Sequence, residues 1–226
     1  WQGFDVAVCR AVAAAVLNDS DAIEFVPTTG KTRFTALASG EIDMLARNTT
    51  WTFSRDVDLK FEFVGVNYYD GQGFMAKADL GVSSATELDG ATVCIQTGTT
   101  TELNLADFFR SNNMSYEAVP VETGSEAVTN YLAGACDVFT TDRSALAARR
   151  ANFEVPTDHV VLPEIVSKEP LGPLVRHGDN NWGDVVRWTL NALITAEELG
   201  VTSANLEEMS KGTNNPEMNR LLGSEG

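Results

Sequence analysis

Thr92-Val-Cys-Ile-Gln-Thr-Gly-Thr-Thr-Thr-Glu102 is where the fold is read. A short apolar strand runs into a glycine turn and then into a helix whose start carries a capping box, Thr99 as N-cap and Glu102 three residues on. The first-turn amides of such a helix point outward without partners, at the positive end of the helix dipole, an arrangement suited to a carboxylate or phosphate. No GxxxxGK[ST] accompanies it, so it is not a Walker loop. On its own the segment is equally a plain strand-to-helix turn with a good cap.

Downstream the rhythm continues: strand Tyr116 to Pro120, helix Ser125 to Ala133, strand Asp137 to Thr141 and helix Arg143 to Ala151. This is a parallel sheet with crossover helices. Upstream a first series reads the same way. Asp5 to Leu17 is a helix with Asp5 as N-cap and Phe4, Val8, Val12 and Val16 as its apolar stripe. Strand Ile23 to Val26 follows, then helix Lys31 to Ser39 closed by Gly40, then strand Ile42 to Ala46. The two series share a phrase, Leu37-Ala-Ser-Gly-Glu-Ile-Asp43 and Leu132-Ala-Gly-Ala-Cys-Asp137, each a helix end in small residues with an Asp opening a strand. Past Lys168, the run Glu169-Pro-Leu-Gly-Pro-Leu-Val-Arg176 reads as a connecting strand. Helices Trp182 to Glu198, Ser203 to Lys211 and Asn215 to Leu222 end the series.

Composition bounds the function. With 226 residues, 43% of them apolar, the chain is globular, and one large or two small domains fit its length. Sixteen basic residues against 32 acidic ones leave a net charge of −16, a field that repels nucleic acid and anionic lipid. Cys9, Cys94 and Cys136 are too few for a disulfide scaffold, and with only His159 and His177 they form no metal-ligand spacing. No cofactor is expected.

Two further clusters lie where strands end. Arg47-Asn-Thr-Thr-Trp-Thr-Phe-Ser-Arg55 packs two arginines and four hydroxyls into nine residues, and an arginine fork grips a carboxylate with two parallel hydrogen bonds. Asp142 follows the strand that ends at Thr141, and its plainer reading is the N-cap of the next helix. Ligands of open α/β sheets bind outside the carboxyl ends of strands. Arg55 with helix amides for a carboxylate, and Asp142 for a cation, is the charge pattern of an α-amino acid. Gly71-Gln-Gly73-Phe-Met-Ala76 matches GxGxx(G/A) but opens no helix and is set aside as a dinucleotide fingerprint. Neither a GxSxG elbow nor HExxH occurs, which weakens hydrolase readings.

Several motifs in fixed order carry a resemblance: Gly3-Phe-Asp5 with Cys9-Arg10, Arg33-Phe-Thr-Ala-Leu37 with Gly40-Glu-Ile-Asp43, Arg47-Asn-Thr-Thr-Trp51, Ser54-Arg-Asp56, Asn67-Tyr-Tyr-Asp-Gly-Gln-Gly-Phe74, Gln96-Thr-Gly-Thr-Thr-Thr-Glu102, Thr141-Asp142 and Lys168-Glu-Pro-Leu-Gly172. Together they resemble the periplasmic amino-acid-binding proteins of ABC transporters, in their general or polar L-amino-acid branch. The resemblance implies a type II periplasmic binding protein, a Venus flytrap of two α/β lobes joined by two crossing strands. Lobe 1 would comprise 1–69 and 171–226, and lobe 2 would comprise 70–170. By motif, Arg55 would grip the ligand carboxylate and Asn48 and Thr50 would add hydrogen bonds. Thr100 would meet the carboxylate at a helix start and Asp142 would partner the α-ammonium. The implied partners are a free L-amino acid and a membrane permease, for a monomer in the periplasm that is not an enzyme. Alternatives on the same fold are a cyclohexadienyl or arogenate dehydratase, with Glu102 or Asp142 as acid, and the sensing module of a receptor. That branch usually has a strand and a ligand-covering loop before Gly-Phe-Asp and continues past Leu222, so the resemblance implies a chain trimmed at both ends. It also places Cys94 and Cys136 on neighbouring strands of lobe 2, where they form a disulfide or remain as buried thiols.

Overall fold

The computed structural model describes residues 1–224. In chain order it contains α1 (Phe4–Leu17), α2 (Arg33–Ser39), β1 (Phe61–Phe63), β2 (Tyr68–Asp70), β3 (Gln72–Lys77), β4 (Ala91–Gln96), α3 (Thr100–Ser111), β5 (Tyr116–Val121) and α4 (Gly124–Leu132). These are followed by β6 (Val138–Asp142), α5 (Arg143–Ala151), β7 (His159–Val161), β8 (Glu169–Leu171), β9 (Leu174–Arg176), α6 (Asn180–Glu198), α7 (Leu206–Met209) and α8 (Pro216–Leu221). Five strands form one sheet in the order β5-β4-β6-β3-β7. The β4 strand pairs in parallel with β5 and β6, while β3 runs antiparallel between β6 and β7.

Alternation along these strands divides the core in two. Phe74, Val93 and Ile95 pack with Leu105 and Phe109 of α3. On the other face, Met75, Cys94 and Phe139 pack with Tyr131 of α4 and Leu146 of α5. The β3 strand was not expected: it covers most of the Gly-Gln-Gly-Phe-Met-Ala run together with Lys77 and is buried along almost its whole length, as a strand covered on both faces must be. Cys94 and Cys136 are joined as a disulfide with their Cα atoms 5.6 Å apart. Cys136 lies two residues ahead of β6 rather than on it.

The first series departs further from expectation. Neither 23–26 nor 42–46 forms a strand, and of the latter only Leu45 makes a bridge, to Leu174. The connecting strand divides at Gly172-Pro173: β8 pairs antiparallel with β2, and β9 with β1. Gly172 is required there, because a Cβ would collide with the backbone oxygen of Gly65. On α1, Val8, Val12 and Ala13 are buried, but Phe4 and Val16 are exposed. Each four-residue step drifts about 40° around a helix, so a long stripe at that spacing turns out of the interface at its ends. Asp5 is not the N-cap, a position held by Gly3. The expected helix 203–211 is reduced to α7. No helix among the described residues is long and apolar enough to cross a membrane, and no group of three or more His, Cys, Asp or Glu among them is placed to hold a metal ion.

Candidate ligand-binding site

Four segments converge on one buried polar cluster, the candidate ligand cleft. The first is the loop after Leu45. Asn48 adopts a left-handed conformation (φ 32°), which asparagine tolerates better than most residues. Its backbone N–H donates to the Asp5 carboxylate at 2.8 Å, and Asn67 Nδ2 donates to the other oxygen at 3.0 Å. Asp5 therefore fixes this loop instead of capping α1. The loop is also strapped to β8, with Trp51 N–H donating to Pro170 O and Gly172 N–H to Thr49 O. Arg55 follows in a π-helical turn, Ser54–Asp58, and its Nη1 donates to Thr50 O at 2.8 Å.

The second segment is α2. Arg33 is buried, and its Nη1 donates to Arg47 O (3.2 Å) and Thr49 Oγ1 (3.1 Å), while its Nε has no partner. The Arg33 and Arg55 guanidinium carbons lie 4.8 and 5.0 Å from the centroid of the Phe34 ring, which holds both cations over its π system. None of Arg33, Arg47 and Arg55 is in an ion pair among the described residues. Burial, then repulsion from Arg55 and Arg47, pulls the Arg33 guanidinium down to about 9. Burial likewise lowers Arg47 and Arg55.

The third segment is the turn into α3. Thr99 is the N-cap, accepting from Glu102 N at 3.3 Å, and Glu102 accepts from Gly98 N at 3.1 Å. Gly98 has φ 71°, and a Cβ there would press on Lys31 Cα at 3.0 Å, so the 30–31 segment rests directly on this turn. The Thr100 hydroxyl lies 3.4 Å from the Thr50 hydroxyl.

The fourth segment is the end of β6. Asp142 occupies the cap position of α5 but makes no side-chain cap bond. It accepts from Asn48 Nδ2 at 3.0 Å instead. Burial, followed by repulsion from Asp70 and Glu169, raises its carboxyl to about 6 against the favourable Asn48 bond. Asn48, Thr50, Arg55, Thr100 and Asp142 are thus brought together.

Sequence reasoning missed Arg33, Phe34 and Glu169 as parts of this cleft. The available signal was a charge inside an apolar run: Glu169 opens Pro-Leu-Gly-Pro-Leu-Val, and a charge buried among such residues requires partners.

With this geometry in place, the comparisons become decisive. Residues 1–204 match the family described as bacterial extracellular solute-binding proteins, family 3. The chain belongs to this family. It is 65% identical over 226 residues to the glutamate/glutamine/aspartate/asparagine-binding protein BztA of Rhodobacter capsulatus, covering 100% of this chain and 67% of that protein. It is 56% identical over 225 residues to the general L-amino acid-binding periplasmic protein AapJ of Rhizobium johnstonii, covering 100% of this chain and 66% of that one. The chain thus spans about two thirds of the length of these relatives, both named as binding proteins. A solved ABC transporter periplasmic binding protein from Brucella ovis with glutathione bound superposes with a TM-score of 0.94 at 56% identity, covering 100% of this chain and 71% of its own. The fold is therefore that of the type II periplasmic binding proteins.

Proposed function

We propose that this protein is a periplasmic receptor that captures a free L-amino acid and delivers it to the permease of an ABC transporter, acting as a monomer and without turnover. In this reading, lobe 1 (1–69 and 171–226) and lobe 2 (70–170) close about the paired strands β2 and β8. The observation that carries it is the opposition of charges across the cleft. Arg55, in no ion pair among the described residues, suits the ligand carboxylate, and the buried Asp142 suits the α-ammonium. Asn48, Thr50 and Thr100 supply hydrogen bonds between them. The further positive charge of Arg33 and Arg47 suits an acidic or amide side chain, in line with the name of the 65%-identical relative.

The test is titration calorimetry against the common amino acids, after co-purified ligand has been exchanged out. Micromolar or tighter binding is expected for at least one of them. Arg55→Ala and Asp142→Ala are each expected to lose about 2–5 kcal/mol, because each leaves a ligand charge desolvated and unpaired. Unchanged affinity in both variants would overturn the assignment.

A further inference from the structure

Glu169 has no role in the reading above, yet it is the most heavily bonded acid in the cleft. It lies on β8 opposite Asp70 of β2 and is 2% exposed. Its Oε2 accepts from the hydroxyls of Thr50 and Thr100, the latter at 3.1 Å. Its Oε1 accepts from Asn104 Nδ2 at 2.8 Å and Ser167 Oγ at 2.6 Å. A carboxylate only accepts, and a hydroxyl has one proton to give. Thr50 and Thr100 therefore direct their protons at Glu169 and turn only lone pairs toward the cleft. Lone pairs receive an ammonium and repel a carboxylate. The negative charge of Glu169 acts in the same sense, since it offsets the arginines and favours a ligand that brings a cation of its own.

We propose that Glu169 is a specificity-determining residue: by fixing Thr50 and Thr100 as acceptors, it makes the cleft require a protonated α-nitrogen and discriminate against deaminated carboxylic acids. Thr50 and Thr100 then serve the ammonium end of the ligand with Asp142, and the carboxylate is left to Arg55 and backbone amides. This inference rests on the amino-acid-receptor reading of the same cleft.

The decisive variant is Glu169→Gln. Asn104 Nδ2 can only donate, so the new amide keeps its oxygen toward Asn104 and turns its NH2 to Thr50 and Thr100. Both hydroxyls then accept from that NH2 and donate into the cleft. L-Glutamate and 2-oxoglutarate differ chiefly in the α-nitrogen, and both are titrated against the wild type and the variant. The preference for L-glutamate is expected to fall at least about tenfold in Glu169→Gln, with 2-oxoglutarate gaining affinity, and Glu169→Asp is expected to keep much of the preference. Equal losses for both ligands would show a merely structural role and overturn the proposal. Thr100→Val gives an independent reading: L-glutamate is expected to weaken while 2-oxoglutarate does not, and parallel losses would again overturn it. A wild type that binds no amino acid at all would instead remove the receptor reading on which the proposal stands.

Discussion

At the scale of single residues, the cleft is built from charges held away from their usual protonation equilibria, and Asp142 gives the clearest consequence. Its carboxyl is raised from 3.8 to about 6, chiefly by burial. A carboxyl whose folded value lies above its unfolded one destabilises the fold once ionised. The cost is absent below about pH 3.8, grows between 3.8 and 6, and is complete above that. A rise of that size corresponds to about 3 kcal/mol. Asp142→Asn is therefore expected to be more stable than the parent at pH 8 by up to about 3 kcal/mol, with the gain vanishing near pH 4. Urea unfolding of the two proteins at both pH values checks it, and a gain independent of pH would contradict it. If Asp142 partners the ammonium as proposed, ligand affinity falls as pH drops below about 6, where its carboxyl becomes neutral. Arg55 and Asp142 stood out in the sequence because each is a charge among hydroxyl-bearing residues. Arg33 and Glu169 did not, because Arg33 falls in the helix pattern Lys31 to Ser39 and Glu169 stands beside Lys168 at the head of an apolar run, so a helix and a strand are the first things the pattern reports.

Among the elements, some local signals held, others such as the Asp5 cap did not, and the non-local ones fared worst. The Thr99 cap and the Gly40 stop are written in adjacent residues and were read correctly. Strands at 23–26 and 42–46 were expected from composition alone, but a strand exists only with a partner, and here only Leu45 finds one. The β3 strand was missed for the converse reason: Gly71 just before it and Gly73 within it mask a segment that β6 and β7 complete from far along the chain. The disulfide is the strongest of the long-range ties. It closes a loop with a sequence separation of 42, and in the chain-entropy model a loop of that size stabilises by about 4 kcal/mol. Cys94→Ala/Cys136→Ala is expected to lose close to that amount in chemical denaturation, while thiol titration of the unfolded, unreduced parent counts one free group, Cys9. Three free groups would contradict the linkage. In the folded state Cys9 is expected to react sluggishly with alkylating agents, since burial and the neighbouring Asp5 raise its thiol to about 11.

For the molecule as a whole, the proposed closure on a ligand would couple binding to both shape and stability. At 100 times Kd, a ligand that binds only the native state stabilises it by about 2.7 kcal/mol. Saturating amino acid is therefore expected to raise the melting temperature and reduce the radius of gyration in small-angle scattering. A rise in melting temperature with an unchanged radius would mean that the ligand binds a cleft that does not close. The charge of −16 is no obstacle to an acidic ligand, because Arg33, Arg47 and Arg55 cluster closely enough to repel one another while the acidic excess is spread along the chain. The spacing of the cleft residues has a consequence for the order in which the protein matures. Thr50 meets Glu169 across 119 residues of sequence and Asn48 meets Asp142 across 94. A chain emerging from its N-terminus presents the cluster of Arg33, Arg47 and Arg55 long before Glu169 arrives to complete the cleft. The acids of the cleft, Asp142 and then Glu169, are therefore its last parts to be made, and the arginines wait for both.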